Sequence, residues 1–225
     1  MQKSVIIVAG GSGKRMGTTI PKQFLLLKSK PVLMHTIEQF YNYDFAIEII
    51  VVLPQAQIAY WNKLCKEHHF KIEHTIVEGG SERFYSVKNG IEKLLNSGTV
   101  AIHDGVRPLV SIDTIKRTFT KAEKTGAAIP VMPVIESLRK IDGLNSFAVN
   151  RSQYVTVQTP QCFNIELIKK AYLQNFSSDF TDDASVVEKM GIKVALVDGN
   201  VENIKITSPL DLMLAELLLN SNNAL

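Results

Sequence analysis

Uniform apolar runs alternate along this chain with segments whose apolar positions recur every three or four residues. Val5-Ile6-Ile7-Val8-Ala9 is aliphatic throughout, with no polar alternation, which suits a strand buried on both faces of a parallel sheet. The same pattern predicts a helix near Val32 to Phe40, a strand Ile49 to Leu53, and a helix from about Ala56 to Glu67. A strand around Glu73 to Val77 leads into a helix Arg83 to Leu95, and Val100 to His103 leads into a helix Ile112 to Lys124. Ala128 to Pro133 is a fifth strand. Strands alternating with helices imply an α/β fold with a mostly parallel sheet covered on both faces, where ligands bind beyond the carboxyl ends of the strands.

The alternation breaks between Ile135 and Thr159, where the short β-rich pieces 137–141, 147–149 and 154–157 surround the turn Asp142-Gly143. This reads as a hairpin arm outside the main sheet. A lone hairpin is marginal in water, so residues 135–157 are expected to pack on something, with a second copy as the natural partner. Beyond the arm the pattern predicts helices near Ile165 to Asn175 and Asp183 to Met190, strands Val194 to Val197 and Asn203 to Ile206, and a helix Leu210 to Leu219.

At 225 residues the chain is expected to form a single domain over 1–225, burying roughly 70% or more of its unfolded surface. Cys65 and Cys162 lack metal-ligand spacing and read as structural thiols of a reducing compartment. A net charge of +3 gives no reason to expect nucleic acid, and no stretch nears the roughly 20 apolar residues of a membrane span. The N-terminal apolar run is too short for a signal sequence, so a cytoplasmic location is expected.

Candidate chemistry gathers in the loops after the strands. Gly10-Gly11-Ser12-Gly13-Lys14-Arg15-Met16-Gly17 and Pro21-Lys22-Gln23 follow the first strand. Glycines let backbone N–H groups approach an anion closely, and the neighbouring cations make the loop a phosphate cradle. It matches neither the dinucleotide fingerprint, since Lys14-Arg15-Met16 follows Gly13, nor the P-loop, since Arg15 follows Lys14. Gly79-Gly80-Ser81-Glu82-Arg83 opens a helix and could hold a base or ribose, with Ser86 as a polar contact, or be an ordinary connection capped by Ser81. In His103-Asp104-Gly105-Val106-Arg107-Pro108 the carboxylate suits Mg²⁺ and the guanidinium a phosphate, unless the two simply pair across a turn. His103 reads as a satisfied core residue. Lys205 interrupts an apolar segment, where an ammonium needs an anion or an edge position in solvent. Arg151, Gln158-Thr159-Pro160-Gln161 and Thr181-Asp182-Asp183 complete the candidates.

In order, residues 9–16, 21–23, 79–83, 103–108, 159–161 and 203–207 resemble the 2-C-methyl-D-erythritol 4-phosphate cytidylyltransferase family over nearly the whole chain. The resemblance implies a Rossmann-like nucleotidyltransferase fold, three-layer α/β/α, with a protruding dimerisation β-arm. It implies an enzyme that uses CTP and Mg²⁺ to convert a polyol phosphate into a CDP-alcohol and pyrophosphate. By position, Arg15 and Lys22 would stabilise the transition state, while Arg151 and Lys205 would position the acceptor phosphate. Asp104 would serve metal and substrate, and Arg107, Ser137 and Thr159 would line the substrate site. Ala9, Gly10, Gly11, Ser12, Gly13, Gly80, Ser81, Ser86 and Gly105 match nucleotide contacts. Arg151 and Ser137 would come from the partner's arm of a homodimer. Gly10 and Gly105 stand where the family often has alanine, Ser81 where it often has aspartate, and Ser137 for threonine. Two alternatives stay open: the sister activity on ribitol 5-phosphate, and a protein that senses CTP without turnover.

Overall fold

The computed structural model of the chain describes residues 2–11 and 20–221. Ser12, Gly13 and Arg15 therefore lie outside the described residues. In chain order the first half comprises β1 (Lys3–Val8), β2 (Leu26–Leu27), β3 (Lys30–Pro31), α1 (Val32–Tyr43), β4 (Glu48–Leu53), α2 (Gln55–Glu67), β5 (Thr75–Glu78), α3 (Arg83–Ile91) and β6 (Thr99–Asp104). The second half comprises α4 (Ile112–Thr125), β7 (Ala127–Pro133), β8 (Leu138–Asp142), β9 (Asn145–Val149), β10 (Val155–Val157), β11 (Gln161–Asn164), α5 (Ile165–Ala171), α6 (Asp183–Glu188), β12 (Ala195–Asp198) and α7 (Pro209–Ser221).

Among the described residues the main sheet has eight strands, in the order β10-β7-β11-β6-β1-β4-β5 with β12 also paired to β7. β1 pairs in parallel with both β4 and β6, as does β4 with β5. In this register Val8 stands beside both Val52 and Asp104, and Leu53 beside Glu78, so the carboxyl ends of the four strands share one edge. The chain extends the sheet first to one side of β1 and then to the other, which makes this edge the topological switch point where α/β sheets bind ligands.

The lack of alternation in β1 follows from its surroundings. Val5 and Ile7 face a cluster containing Leu33, Ile37 and Phe40 of α1 and Ile115 and Phe119 of α4. Ile6 faces the opposite cluster, with Phe84 and Val87 of α3 and Ile168 of α5. Each fully buried aliphatic or aromatic side chain contributes about 1.5–3 kcal/mol, so both faces draw the strand inward. α4 shows the local logic of a helix: the Ser111 hydroxyl accepts from the Thr114 N–H at 3.1 Å, Ile115, Thr118, Phe119 and Ala122 form its buried stripe, and Gly126 ends it with φ 85°.

Four expectations require correction. β11 falls outside the predicted strands; it runs antiparallel between β6 and β7 and makes the sheet mixed. Tyr154 to Val157 was expected in the arm, but Val155–Val157 returns to the main sheet and pairs with Val131–Pro133 of β7. Of the arm's pieces β8 and β9 form a two-stranded hairpin apart from the main sheet, as β2 and β3 do elsewhere, and it is exposed along most of its length. Asn203 to Ile206 is no strand: the segment makes no ladder among the described residues, and a single backbone-to-backbone bond there, Ile206 N–H to the Val106 carbonyl at 2.9 Å, ties it to the loop after β6. α3 and α5 stop at Ile91 and Ala171, short of Leu95 and Asn175, and pass into turns.

Candidate active site

A cavity of about 310 Å³ opens at the shared carboxyl edge. Ala9, Gly10 and Gly11 form one wall, Gly79 to Arg83 the other, with Asp104, Lys22 and Lys205 between them. A larger open hollow of about 880 Å³, bounded by α1 and the turn His68–Glu73, contains none of the candidate residues.

Asp104 ends β6 and is the centre of the polar network. Its Oδ2 accepts from Arg107 Nε at 3.0 Å and stands 3.1 Å from Lys205 Nζ. Burial alone would push this carboxyl up, but the charges of Lys205, Arg83 and Arg107 outweigh it and hold it well below the usual carboxylate range. Arg107 also donates through Nη1 to the Asn203 carbonyl at 2.8 Å, which draws the segment carrying Lys205 against the end of β6. Lys205 therefore meets both demands of its sequence position: its side chain is 42% exposed and its ammonium faces a carboxylate.

Behind Asp104 the hydrogen bonds fix the state of His103. Its Nε2 lies 3.2 Å from the Arg107 carbonyl, which only accepts, so Nε2 carries the proton. Burial pushes the imidazole down to about 4, against smaller upward pulls from that carbonyl and from Asp104. The ring is thus neutral at pH 7, and Nδ1 accepts from the Thr159 hydroxyl at 2.9 Å. The same hydroxyl oxygen accepts the Asp104 N–H at 3.1 Å. His103 and Thr159 hold the backbone of Asp104 rather than face the cavity.

The glycine wall is braced from outside. Gln23 Nε2 donates to the Ala9 carbonyl at 2.7 Å and to Gln57 Oε1 at 2.6 Å, fixing the peptide that leads into Gly10. Pro21 leads into a single 3₁₀ turn, Lys22–Phe24, and the Lys22 chain crosses Gly11 so closely that a Cβ there would lie 3.3 Å from its Cε. On the other wall the Ser86 hydroxyl accepts the Gly80 N–H and donates to the Glu82 carbonyl, each at 3.1 Å. Ser86 staples the loop, and its hydroxyl bonds lie within it. At Gly80 a Cβ would come 2.3 Å from Tyr85 Cβ, so only glycine permits this loop.

The structure brings together Ala9, Gly10, Gly11, Lys22, Gly80, Ser81, Ser86, Asp104 and Lys205 around one cavity, with Arg107 and Thr159 bonded to Asp104. Gly105 does not line it: its bare Cα makes room for Ala9, whose Cβ would lie 2.8 Å from a Cβ added there. Ser137 and Arg151 also lie outside it, in or beside the arm, where Arg151 donates to the Ile135 carbonyl. Among the described residues no group of three or more His, Cys, Asp or Glu side chains is arranged to hold a metal unaided. Sequence reasoning passed over Gln23, Arg83 and Asn203. All three sit inside marked motifs, so proximity to Lys22, Gly80 and Lys205 is the available signal; the Asn203 amide donates to the Thr159 carbonyl at 2.8 Å.

A switch-point cavity with a glycine wall, a second loop opening a helix, and a carboxylate among cations defines an α/β nucleotidyltransferase. The sequence profile of the 2-C-methyl-D-erythritol 4-phosphate cytidylyltransferase family matches residues 4–221. A protein of that name from Bacteroides thetaiotaomicron is 53% identical over 219 residues, covering 97% of this chain and 100% of the relative. The crystal structure of 4-diphosphocytidyl-2C-methyl-D-erythritol synthase from Anaerococcus prevotii superposes with TM-score 0.83 at 28% identity, covering 97% of this chain and 96% of that one. The Thermus thermophilus cytidylyltransferase structure gives 0.79 at 32% identity, covering 98% and 100%. The chain belongs to the 2-C-methyl-D-erythritol 4-phosphate cytidylyltransferase family.

Proposed function

We propose that this enzyme transfers CMP from CTP to the phosphate of 2-C-methyl-D-erythritol 4-phosphate, releasing pyrophosphate and forming 4-diphosphocytidyl-2-C-methyl-D-erythritol. The observation that carries the reading is the placement of Asp104, Lys205 and Lys22 in one cavity, opposite two glycine loops. Relatives that align end to end bear the methylerythritol name, which disfavours both the ribitol 5-phosphate alternative and a CTP sensor.

The reaction forms a bond from an acceptor phosphate oxygen to the α-phosphorus and breaks the α–β phosphoanhydride, whose electron pair leaves with pyrophosphate. No protein nucleophile is needed; positioning and electrostatic stabilisation suffice. The loop residues Ala9 to Gly11, Gly80 and Ser81, together with Ser12 and Gly13, bind the nucleotide, with Ala9 and Gly80 shaping the walls because their own N–H groups are held by the Val52 carbonyl and the Ser86 hydroxyl. Lys22, with Arg15, meets the charge that grows on the α-phosphate. Lys205 and Arg107, held by Asp104, receive the acceptor phosphate.

Asp104 suits a divalent cation as a single ionised carboxylate whose two cationic contacts both fall on Oδ2. Mg²⁺ commonly takes one or two carboxylates and fills its shell with substrate phosphates and water, and there it would supply charge neutralisation at the triphosphate. Ser137 and Arg151 act from the hairpin arm of a second copy, in a homodimer of single-domain chains. The arm supports this reading: Ile141, Leu144 and Phe147 are exposed on it, more apolar surface than a lone hairpin would hold in water. The cytoplasm, which holds CTP, is the proposed compartment; among the described residues no helix is long and apolar enough to cross a membrane.

Pyrophosphate release tests the reading directly. The enzyme with CTP, Mg²⁺ and 2-C-methyl-D-erythritol 4-phosphate releases one pyrophosphate per CDP-alcohol formed; no release with this acceptor refutes it.

A further inference from the structure

Asp183 has no part in the reaction as set out above, yet it is fully buried. A buried carboxylate is costly unless its oxygens meet donors in good geometry. Here both do. Arg83 Nη1 donates to Oδ1 at 2.8 Å and Nη2 to Oδ2 at 2.6 Å, and the Tyr172 hydroxyl donates to Oδ1 at 2.6 Å. Such a fork-to-fork pair fixes the plane of the guanidinium as well as its position, and it engages only two of the five N–H donors.

The other end of this pair reaches the cavity. Arg83 lines it with Lys22, Lys205 and Asp104, and its side chain is 34% exposed. It is the first residue of α3, directly after the loop Gly79 to Glu82. Asp183 is the first residue of α6, and the cap of that helix, Asp182, accepts from Gln161 Nε2 at 2.8 Å, while Gln161 Oε1 accepts the Ala184 N–H at 2.9 Å. Gln161 follows Thr159-Pro160, and the Thr159 hydroxyl holds Asp104. The ion pair thus ties the nucleotide loop to the wall behind Asp104. Packing alone does not require this chemistry, since apolar residues of similar volume replace buried ion pairs at little or no cost.

We propose that Asp183 is a positioning residue for nucleotide binding: with Tyr172 it locks Arg83 so that the unused guanidinium donors take phosphate oxygens of the nucleoside triphosphate. The assignment rests on the reading of the cavity as a CTP site.

Calorimetric CTP binding without an acceptor tests it, using wild type, Asp183→Asn, Arg83→Lys and the double variant. Each single change is expected to raise the Kd for CTP about tenfold, the scale of one lost charge-assisted contact. Because Asp183 acts through Arg83, the double variant is expected to bind no more than about twofold more weakly than either single. The KM for the polyol phosphate stays within about twofold of wild type, whereas a merely structural defect lowers the folded fraction and affects both substrates alike. Unchanged CTP affinity in folded Asp183→Asn, or additive losses in the double variant, overturns the proposal. If Asp183→Asn fails to fold, Arg83→Lys and Tyr172→Phe decide it: weaker CTP binding in both supports it, and wild-type affinity in either overturns it. A wild-type protein that binds no CTP refutes the cavity reading itself, and this assignment with it.

Discussion

Lys205 Nζ stands 3.1 Å from Asp104 Oδ2, joining an extended segment ahead of α7 to the end of the strand beside β1. The lysine side is 42% exposed, and Arg107 still faces the buried carboxylate when Lys205 is lost, so the pair adds little to folding. Its value is in placing an ammonium at the cavity. Lys205→Met is expected to lower kcat/KM for the acceptor by about a hundredfold, typical of losing one preorganised charge, while shifting the thermal midpoint by no more than about 3 °C. Steady-state kinetics and thermal unfolding check both; equal losses for CTP and acceptor would remove Lys205 from the acceptor side.

Two glycines beside the nucleotide should respond differently. Gly80→Ala places a Cβ 2.3 Å from Tyr85 Cβ, so the loop must move, and the KM for CTP is expected to rise about tenfold, the equivalent of roughly 1.4 kcal/mol. Gly10→Ala meets nothing within 4 Å among the described residues and is expected to change the KM by less than about twofold. The paired kinetics separate a steric requirement from a merely glycine-rich composition.

These contrasts mark where the sequence was readable. Val5 to Ala9, the glycines after it, and Lys205 stand out because their signals are local: an unbroken apolar run, permissive backbone, a charge in an apolar context. β11 carries no such signal, since Gln161-Cys162-Phe163-Asn164 is too short for a period to register. Asn203 to Ile206 alternates like a strand, but no neighbour among the described residues completes a ladder there. Arg83 and Asp183 were visible as residues in marked motifs, but their pairing depends on two helix starts that only the folded chain brings together. For Ser137 and Arg151 the difficulty is different, because a single chain leaves them on the arm, outside its own cavity.

His103 gives the fold a defined pH dependence. Its ordinary value of 6.5 falls to about 4 on burial, so between those values the unfolded chain binds a proton that the folded chain does not. Stability is therefore expected to fall as pH drops from 6.5 to 4, by about 3 kcal/mol in total from this ring, and to level off below. Denaturant titrations at several pH values should show a shallower slope across that window in His103→Gln than in wild type. Equal slopes would place the ring's protonation elsewhere.

The arm can be tested by complementation. If each cavity draws Arg151 from a second copy, mixing inactive Lys22→Ala and Arg151→Ala chains through unfolding and refolding yields heterodimers with one intact site, and about a quarter of wild-type activity from random pairing. No recovery in verified heterodimers would mean that each chain works alone.

Competition between acceptors bears most directly on the whole account. With CTP and Mg²⁺, equimolar 2-C-methyl-D-erythritol 4-phosphate and ribitol 5-phosphate are offered together and the two CDP-alcohols are quantified. The account predicts that 4-diphosphocytidyl-2-C-methyl-D-erythritol is formed in at least about hundredfold excess, the discrimination available from mismatched polar contacts. Equal products, or an excess of CDP-ribitol, would contradict it.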